Sequence, residues 1–277
     1  MRQRIVGACV AGLLTGIAAV GAPSAMAATG PIHPGVQTFT DGAQCTANFI
    51  FKNASGTYIG QAAHCSGTGA ATDTDGCTAA TLPLGTPVTV TGASRPGTMT
   101  YNSWIAMQTA GETDANTCAY NDFALVKLDP ADVGKVDPSV PGFGGPTSVG
   151  GAAVGGTVYS YGNSSLRLGI TLLSPKQGLV VQRAGGGWSR TVYTVTPGVP
   201  GDSGSGFLNA TGQAIGVLST LAVLPVPLSN GVGDLARELA YADSHGVPGV
   251  QLVPGTQPFK ANLLGAILGK RRLLARR

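Results

Sequence analysis

The chain has 277 residues, with 43 glycines, 18 prolines, five cysteines and a formal charge of +4 at neutral pH. The surplus is terminal: without Arg2, Arg4 and the six cations after Phe259, nine cations face thirteen acids, and a body at −4 excludes a nucleic-acid groove. After the first apolar run no segment is long and apolar enough to span a bilayer as a helix, and about 250 residues are enough for a large packed core without a structural metal.

In chain order, residues 1–27 come first, with Arg2 and Arg4, an apolar run broken by glycines, and the small-residue site Ala25-Met26-Ala27. This pattern predicts a secretory signal peptide and an exported, extracellular product that begins near Ala28. Short apolar or alternating stretches follow between Gly, Pro, Ser, Thr and Asn clusters: ANFIF, TYIGQAAH, PVTVTG, YNSWIAMQT and FALVKL. A Pro- and Gly-dense connector spans 129–151, and then come TVYSYG, GITLLS, GLVVQ, TVYTVT and AIGVLST. Their spacing predicts an all-β protein of barrel or sandwich type. The connector divides it into lobes 28–140 and 141–258. The helical exception is 232–244, where Val232, Leu235, Ala236, Leu239 and Ala242 form a face and Gly246 ends it. Residues 259–277 form a basic tail, read either as a frayed terminus or as an amphipathic segment that touches membrane or cell envelope.

Cys9 leaves with the signal, and Cys45, Cys65, Cys77 and Cys118 remain. An even number in an exported chain predicts two disulfides, with three connectivities open. No C-x-x-C occurs, so no zinc site, other metal or cofactor is expected.

Three segments carry candidate chemistry. His64 follows apolar GQAA at a strand end, whereas His33 and His245 read as solvated. Asp122 precedes the apolar run 123–128, and a carboxylate desolvated there needs donors such as an imidazole N–H. GVPGDSGSGF, residues 198–207, is by composition only a turn. It also supplies a serine among glycines whose N–H groups can face a developing oxyanion.

Taken together, TYIGQAAHC, NDFALVKL and GDSGSG, in that order, resemble the chymotrypsin-like (trypsin-fold) serine peptidases, in particular secreted bacterial members. The resemblance implies two antiparallel six-stranded β-barrels with a C-terminal helix, a monomer acting on polypeptides. It implies His64 as general base, Asp122 as its orienting acid, Ser203 as nucleophile, and the N–H groups of Gly201 and Ser203 as the oxyanion hole. It pairs Cys45 with Cys65 beside the histidine, and hence Cys77 with Cys118.

The departures from the family pattern carry information. No basic site precedes an I-V-G-G-like N-terminus that could pair with Asp202, so an internal cation is expected there, from Arg167, Arg183 or Arg190. The position six residues before Ser203, an aspartate in trypsins, is Pro197; with Val199 it borders the pocket, and Ser219, Thr220 and Leu221 correspond to the strand that lines the substrate backbone. An uncharged or small apolar residue before the cut is the expected preference. The competing reading is an inactive homologue serving as an exported binding or envelope-interaction protein. An α/β-hydrolase esterase is excluded, since no intact G-x-S-x-G and no strand-helix alternation occur.

Overall fold

A computed structural model describes residues 30–70, 73–222 and 229–268; the expected signal segment and the last nine residues of the tail lie outside them. The first half supplies β1 (Gln37–Thr40), β2 (Ala43–Thr46), β3 (Ile50–Asn53), β4 (Gly56–Gln61), β5 (Pro87–Val90), β6 (Gly97–Asn102) and β7 (Ala124–Lys127). Helices α1 (Ser103–Ala110) and α2 (Ala115–Tyr120) join β6 to β7, and α3 (Pro130–Val133) follows β7. Next come β8 (Thr157–Tyr161), β9 (Pro175–Ala184), β10 (Ser189–Thr194), β11 (Gly206–Asn209), β12 (Ala214–Ala222) and β13 (Ser229–Asp234). After them lie α4 (Leu235–Ser244), β14 (Gln251–Leu252) and α5 (Leu263–Leu268).

Strands β8 to β13 close an antiparallel barrel in the order β10-β13-β12-β11-β8-β9. Strands β1 to β7 form an antiparallel sheet, β14-β3-β4-β7-β6-β5-β1-β2, which β14 extends at one edge on its return from the far end of the chain. The two ends of this sheet meet, because β2, bonded to β1, runs through residues 47–49 into β3, bonded to β4, so the first lobe also has the expected antiparallel β architecture. Its β2 edge turns to the other lobe, where the Thr46 N–H donates to the Ser203 carbonyl (2.8 Å).

Alternation decides which residues go inside. In β5, Val88 and Val90 are buried while Pro87 and Thr89 are exposed, and with Ile50, Ile59, Met99 and Val126 they fill the first lobe. The barrel interior holds Val158, Val180, Val192, Phe207, Ile215 and Val232. A third apolar cluster reaches across both lobes, with Phe49, Phe51 and Phe123 from the first packed in the same body as Tyr159, Tyr161 and Leu208 from the second. Phe51 and Phe123 meet edge to face at 5.4 Å, which seats the start of β7 and the residue before it.

Three expected elements differ. YNSWIAMQT is strand only to Asn102, whose side chain accepts the Trp104 N–H (2.9 Å) and caps α1. GITLLS is no strand: Leu168 and Gly169 both take positive φ, and a 3-10 turn covers Thr171–Leu173. The C-terminal helix begins at Leu235 because Asp234 caps it through the Arg237 N–H, so Val232 belongs to β13.

Candidate active site

His64 sits in a 3-10 turn, Ala63–Ser66, directly beyond the end of β4. Asp122 lies between α2 and β7, six per cent exposed, and both its oxygens face the histidine residue. Its Oδ1 accepts the His64 backbone N–H (2.9 Å) and its Oδ2 meets His64 Nδ1 (2.7 Å). Ser219 Oγ donates to the same Oδ2 at 2.5 Å. Ser219 gets there through a bulge: the register of β12 against β13 shifts between Leu218 and Thr220, and the extra residue turns its side chain to the aspartate.

These contacts fix the protonation pattern. Burial alone would raise the Asp122 pKa, but His64 and the hydrogen bonds from His64 and Ser219 outweigh it and hold the carboxyl below its usual value. Burial alone would lower the His64 pKa, and the Asp122 carboxylate reverses the sign. An anionic Asp122 can only accept, so neutral His64 carries its proton on Nδ1 and keeps the Nε2 lone pair free.

His64 and Ser203 line one cleft of about 540 Å³, together with Trp104, Gly198, Val199, Leu218 and Asn230 among others. Ser219 and Thr220 also reach it. Pro197 lies behind the wall instead, where its carbonyl accepts from Arg167 Nη2 (3.2 Å) and Lys176 Nζ (3.0 Å). The Leu221 backbone is in β12, while its side chain is outside the described residues. Asn230 is fully buried and spent on structure: Oδ1 accepts the Gly198 N–H (3.0 Å) and Nδ2 donates to Val192 C=O and Thr194 Oγ1 (both 3.2 Å).

The loop carrying Ser203 is held from three sides. Ser164 Oγ donates to the Pro200 carbonyl (2.5 Å), and because a trans peptide points its two polar groups oppositely, the Gly201 N–H turns to the other side. Gln44 Nε2 (2.9 Å) and Thr46 Oγ1 (2.7 Å), both on β2, donate to the Gly201 carbonyl. Gly201 has φ +93°, and a side chain there would collide with Gln44 and Ser164, so glycine is required. Neither the Gly201 N–H nor the Ser203 N–H donates to another group among the described residues.

Asp202, fully buried, takes the third hold. Its Oδ2 pairs with Arg167 Nη2 (2.5 Å) and Lys176 Nζ (3.0 Å), and its Oδ1 accepts the Ser164 N–H (3.1 Å). Of the three expected cations, Arg167 is the partner; Arg190 is engaged with Asp234 (2.5 Å), and Arg183 is exposed on β9. Sequence reasoning missed Lys176, yet a signal was there. Between Asp137 and Asp234 the chain has one acid, Asp202, so a lysine opening an apolar strand in that stretch has few partners to bury against.

The disulfides are Cys45–Cys65 and Cys77–Cys118, so all four sulfurs are consumed and none is left as a thiolate for metal. The second bond fastens the segment with Ala79 and Ala80, which lines the cleft, to α2 just ahead of Asp122.

No family model and no curated protein matches the chain. Solved structures do. One is Thermobifida fusca protease A, with a TM-score of 0.53 at 20% identity over 81% of this chain and 99% of that one. Another is a glutamic acid-specific serine protease that uses a histidine triad in substrate binding, with a TM-score of 0.51 at 17% identity over 80% of this chain and 100% of that one. These likenesses show the fold, the two-lobed β architecture of chymotrypsin-like serine proteases, and it agrees with what the three motifs imply.

Proposed function

We propose that the protein is an exported serine endopeptidase. The observation that carries this reading is the convergence in one cleft of Ser203, a His64 whose Nε2 is free to accept, and two unengaged backbone N–H groups, Gly201 and Ser203. Ser203 Oγ attacks the scissile carbonyl while His64 Nε2 takes its proton, and the imidazolium is stabilised by Asp122. The negative oxygen of the tetrahedral intermediate is received by the two N–H groups. His64 then gives its proton to the leaving amine, the acyl group stays on Ser203, and a water activated by the same histidine releases it.

The walls favour an uncharged or small apolar residue before the cut. Gly198, Val199 and Leu218 offer no charge, Asn230 has both ends of its amide committed, and the acid among the lining residues, Asp73, comes from the first lobe. Recognition of glutamate by three histidines is not available, because of His33, His64 and His245 only His64 lines the cleft. The second lobe has no cysteine, so this pocket is braced by hydrogen bonds and by the two cations on Asp202.

The test is covalent. Treating residues 28–277 with a fluorophosphonate should add one adduct mass, located on Ser203 by peptide mapping and lost in His64→Ala. An unlabelled chain of native fold supports the binding-module reading instead.

A further inference from the structure

We infer that the first-lobe wall of the cleft is a subsite for a cationic side chain, a lysine or arginine of the polypeptide at a position other than the one directly before the cut, selected by Asp73. The inference rests on the peptidase reading and adds a second element of specificity to it. The two walls differ in charge. Gly198, Val199, Leu218 and Thr220 of the second lobe carry none, whereas the segment that follows His64 brings Asp73, the one carboxylate among the described lining residues.

The carboxylate lies over bare backbone. The Asp73 N–H donates to the Ala70 carbonyl (2.9 Å), and a side chain at Gly69 would meet Asp73 Oδ2 at 3.0 Å, so glycine there leaves that oxygen room. An apolar strip adjoins it. The Thr68 N–H donates to the Ala80 carbonyl (3.0 Å), which sets Gly69, and Asp73 over it, beside Ala79 and Ala80 on the cleft wall. Trp104 continues the strip, its Cζ3 3.6 Å from where a side chain at Gly67 would begin. The wall is also braced: Gln108 Nε2 on α1 donates to the Gly76 and Ala79 carbonyls (both 2.9 Å), and Cys77–Cys118 ties the segment to α2. Alanines and an aromatic edge next to a carboxylate suit a long aliphatic stem with a charged head, because the stem can lie on the strip while the head meets Asp73.

No group of the fold competes for this charge. Among the described residues the Asp73 side chain has neither an ion pair nor a hydrogen bond. Between Lys52 and Lys127 the chain holds one lysine or arginine, Arg95, and that cation is turned to Asp129 (3.4 Å). Asp73 also belongs to no group of three potential metal ligands among the described residues, so the charge it matches is a single organic cation rather than a metal ion, which needs several oxygens. The neutral second-lobe wall takes the uncharged residue before the cut, and the cation falls to the first lobe.

The test measures kcat/KM of residues 28–277 on alanine-based peptides in which each position in turn carries lysine, norleucine or glutamate. At one position other than that before the cut, lysine should exceed norleucine by about three- to fivefold, the worth of one solvent-exposed ion pair, and high salt should remove most of the gain. Asp73→Asn should bring lysine down to norleucine, and Asp73→Lys should make glutamate the preferred residue at that same position, with circular dichroism of both variants matching the parent. The same peptides, dye-labelled, are titrated with Ser203→Ala by fluorescence anisotropy, so that the preference is read even where nothing is cut. A lysine preference at no position, one that survives Asp73→Asn, or one confined to the residue before the cut overturns the inference. A chain that neither cuts nor takes fluorophosphonate, yet binds the lysine peptide through Asp73, supports the subsite and overturns the peptidase reading alone.

Discussion

Replacing Glu238 with glutamine should stabilise the protein, and the gain should grow with pH. Glu238 lies on α4, fully buried, and neither carboxyl oxygen has a hydrogen-bond partner among the described residues. Burial lifts its pKa well above the usual carboxyl value of 4.5, neighbouring Asp122 and Asp234 lift it further, and the positive charge of Arg190 offsets only part. The folded state therefore holds a proton that the unfolded chain releases. Above the unfolded pKa the unfolded state binds fewer protons than the native one, so stability falls as pH rises. The slope approaches about 1.4 kcal/mol per pH unit wherever the folded state keeps the proton that the unfolded chain has lost. Glutamine has no proton to lose, and whatever its amide costs in that site is the same at every pH. Parent and variant, both with Ser203→Ala to prevent self-cleavage, are unfolded in guanidinium chloride at pH 5, 6 and 7. The difference in unfolding free energy should move in favour of glutamine across that range. A difference that stays flat, or that moves in favour of glutamate, refutes a proton held at Glu238.

Activity should fall as pH drops through a His64 pKa above the ordinary 6.5, because the Asp122 carboxylate outweighs burial; a kcat/KM midpoint below that value on an uncharged peptide would contradict the pairing. Ser164→Ala should lower kcat about three- to tenfold, the worth of one buried hydrogen bond, with KM nearly unchanged; a rise in KM alone would show that Ser164 does not position the Gly201 N–H. Arg167→Met and Lys176→Met each leave Asp202 one cation, whereas the double change strands a buried carboxylate. Its destabilisation in urea should exceed the sum of the singles by at least about 1 kcal/mol, and simple additivity argues against a shared clamp. Because that clamp is internal, a chain starting at Ala28 should hydrolyse peptides without a further cut, and dependence on one would exclude the scheme.

What could be read before the structure was local. His64, Asp122 and Ser203 each stand in a short motif whose neighbours explain it, and the strands of the barrel follow from alternation or continuous apolar runs. The supporting residues are invisible at that scale. Ser164 acts on Pro200 from 36 positions away, and Gln44 acts on Gly201 from 157 positions away, through side chain to backbone bonds that leave no periodic trace. The misread segments have a related cause. YNSW alternates like a strand, but the hydrogen bond from the Trp104 N–H to Asn102 starts a helix, a choice that propensity alone does not decide. In GITLLS the turn geometry at Leu168 and Gly169 overrides three apolar residues that otherwise read as a strand.

Strand β2 ties the two lobes together at the candidate site. Gln44 and Thr46 hold the Gly201 carbonyl, the Thr46 N–H holds the Ser203 carbonyl, and Cys45 between them is bonded to Cys65, the neighbour of His64. The Ser203 loop of one lobe is thus held by Gln44 and Thr46 of the other, and Cys45 between them tethers this strand beside His64. Any breathing motion that parts the lobes breaks the bonds from Gln44 and Thr46 to the Ser203 loop in a single event. Slow amide exchange at Thr46 becomes a direct gauge of how much of the population has the two lobes joined at any moment.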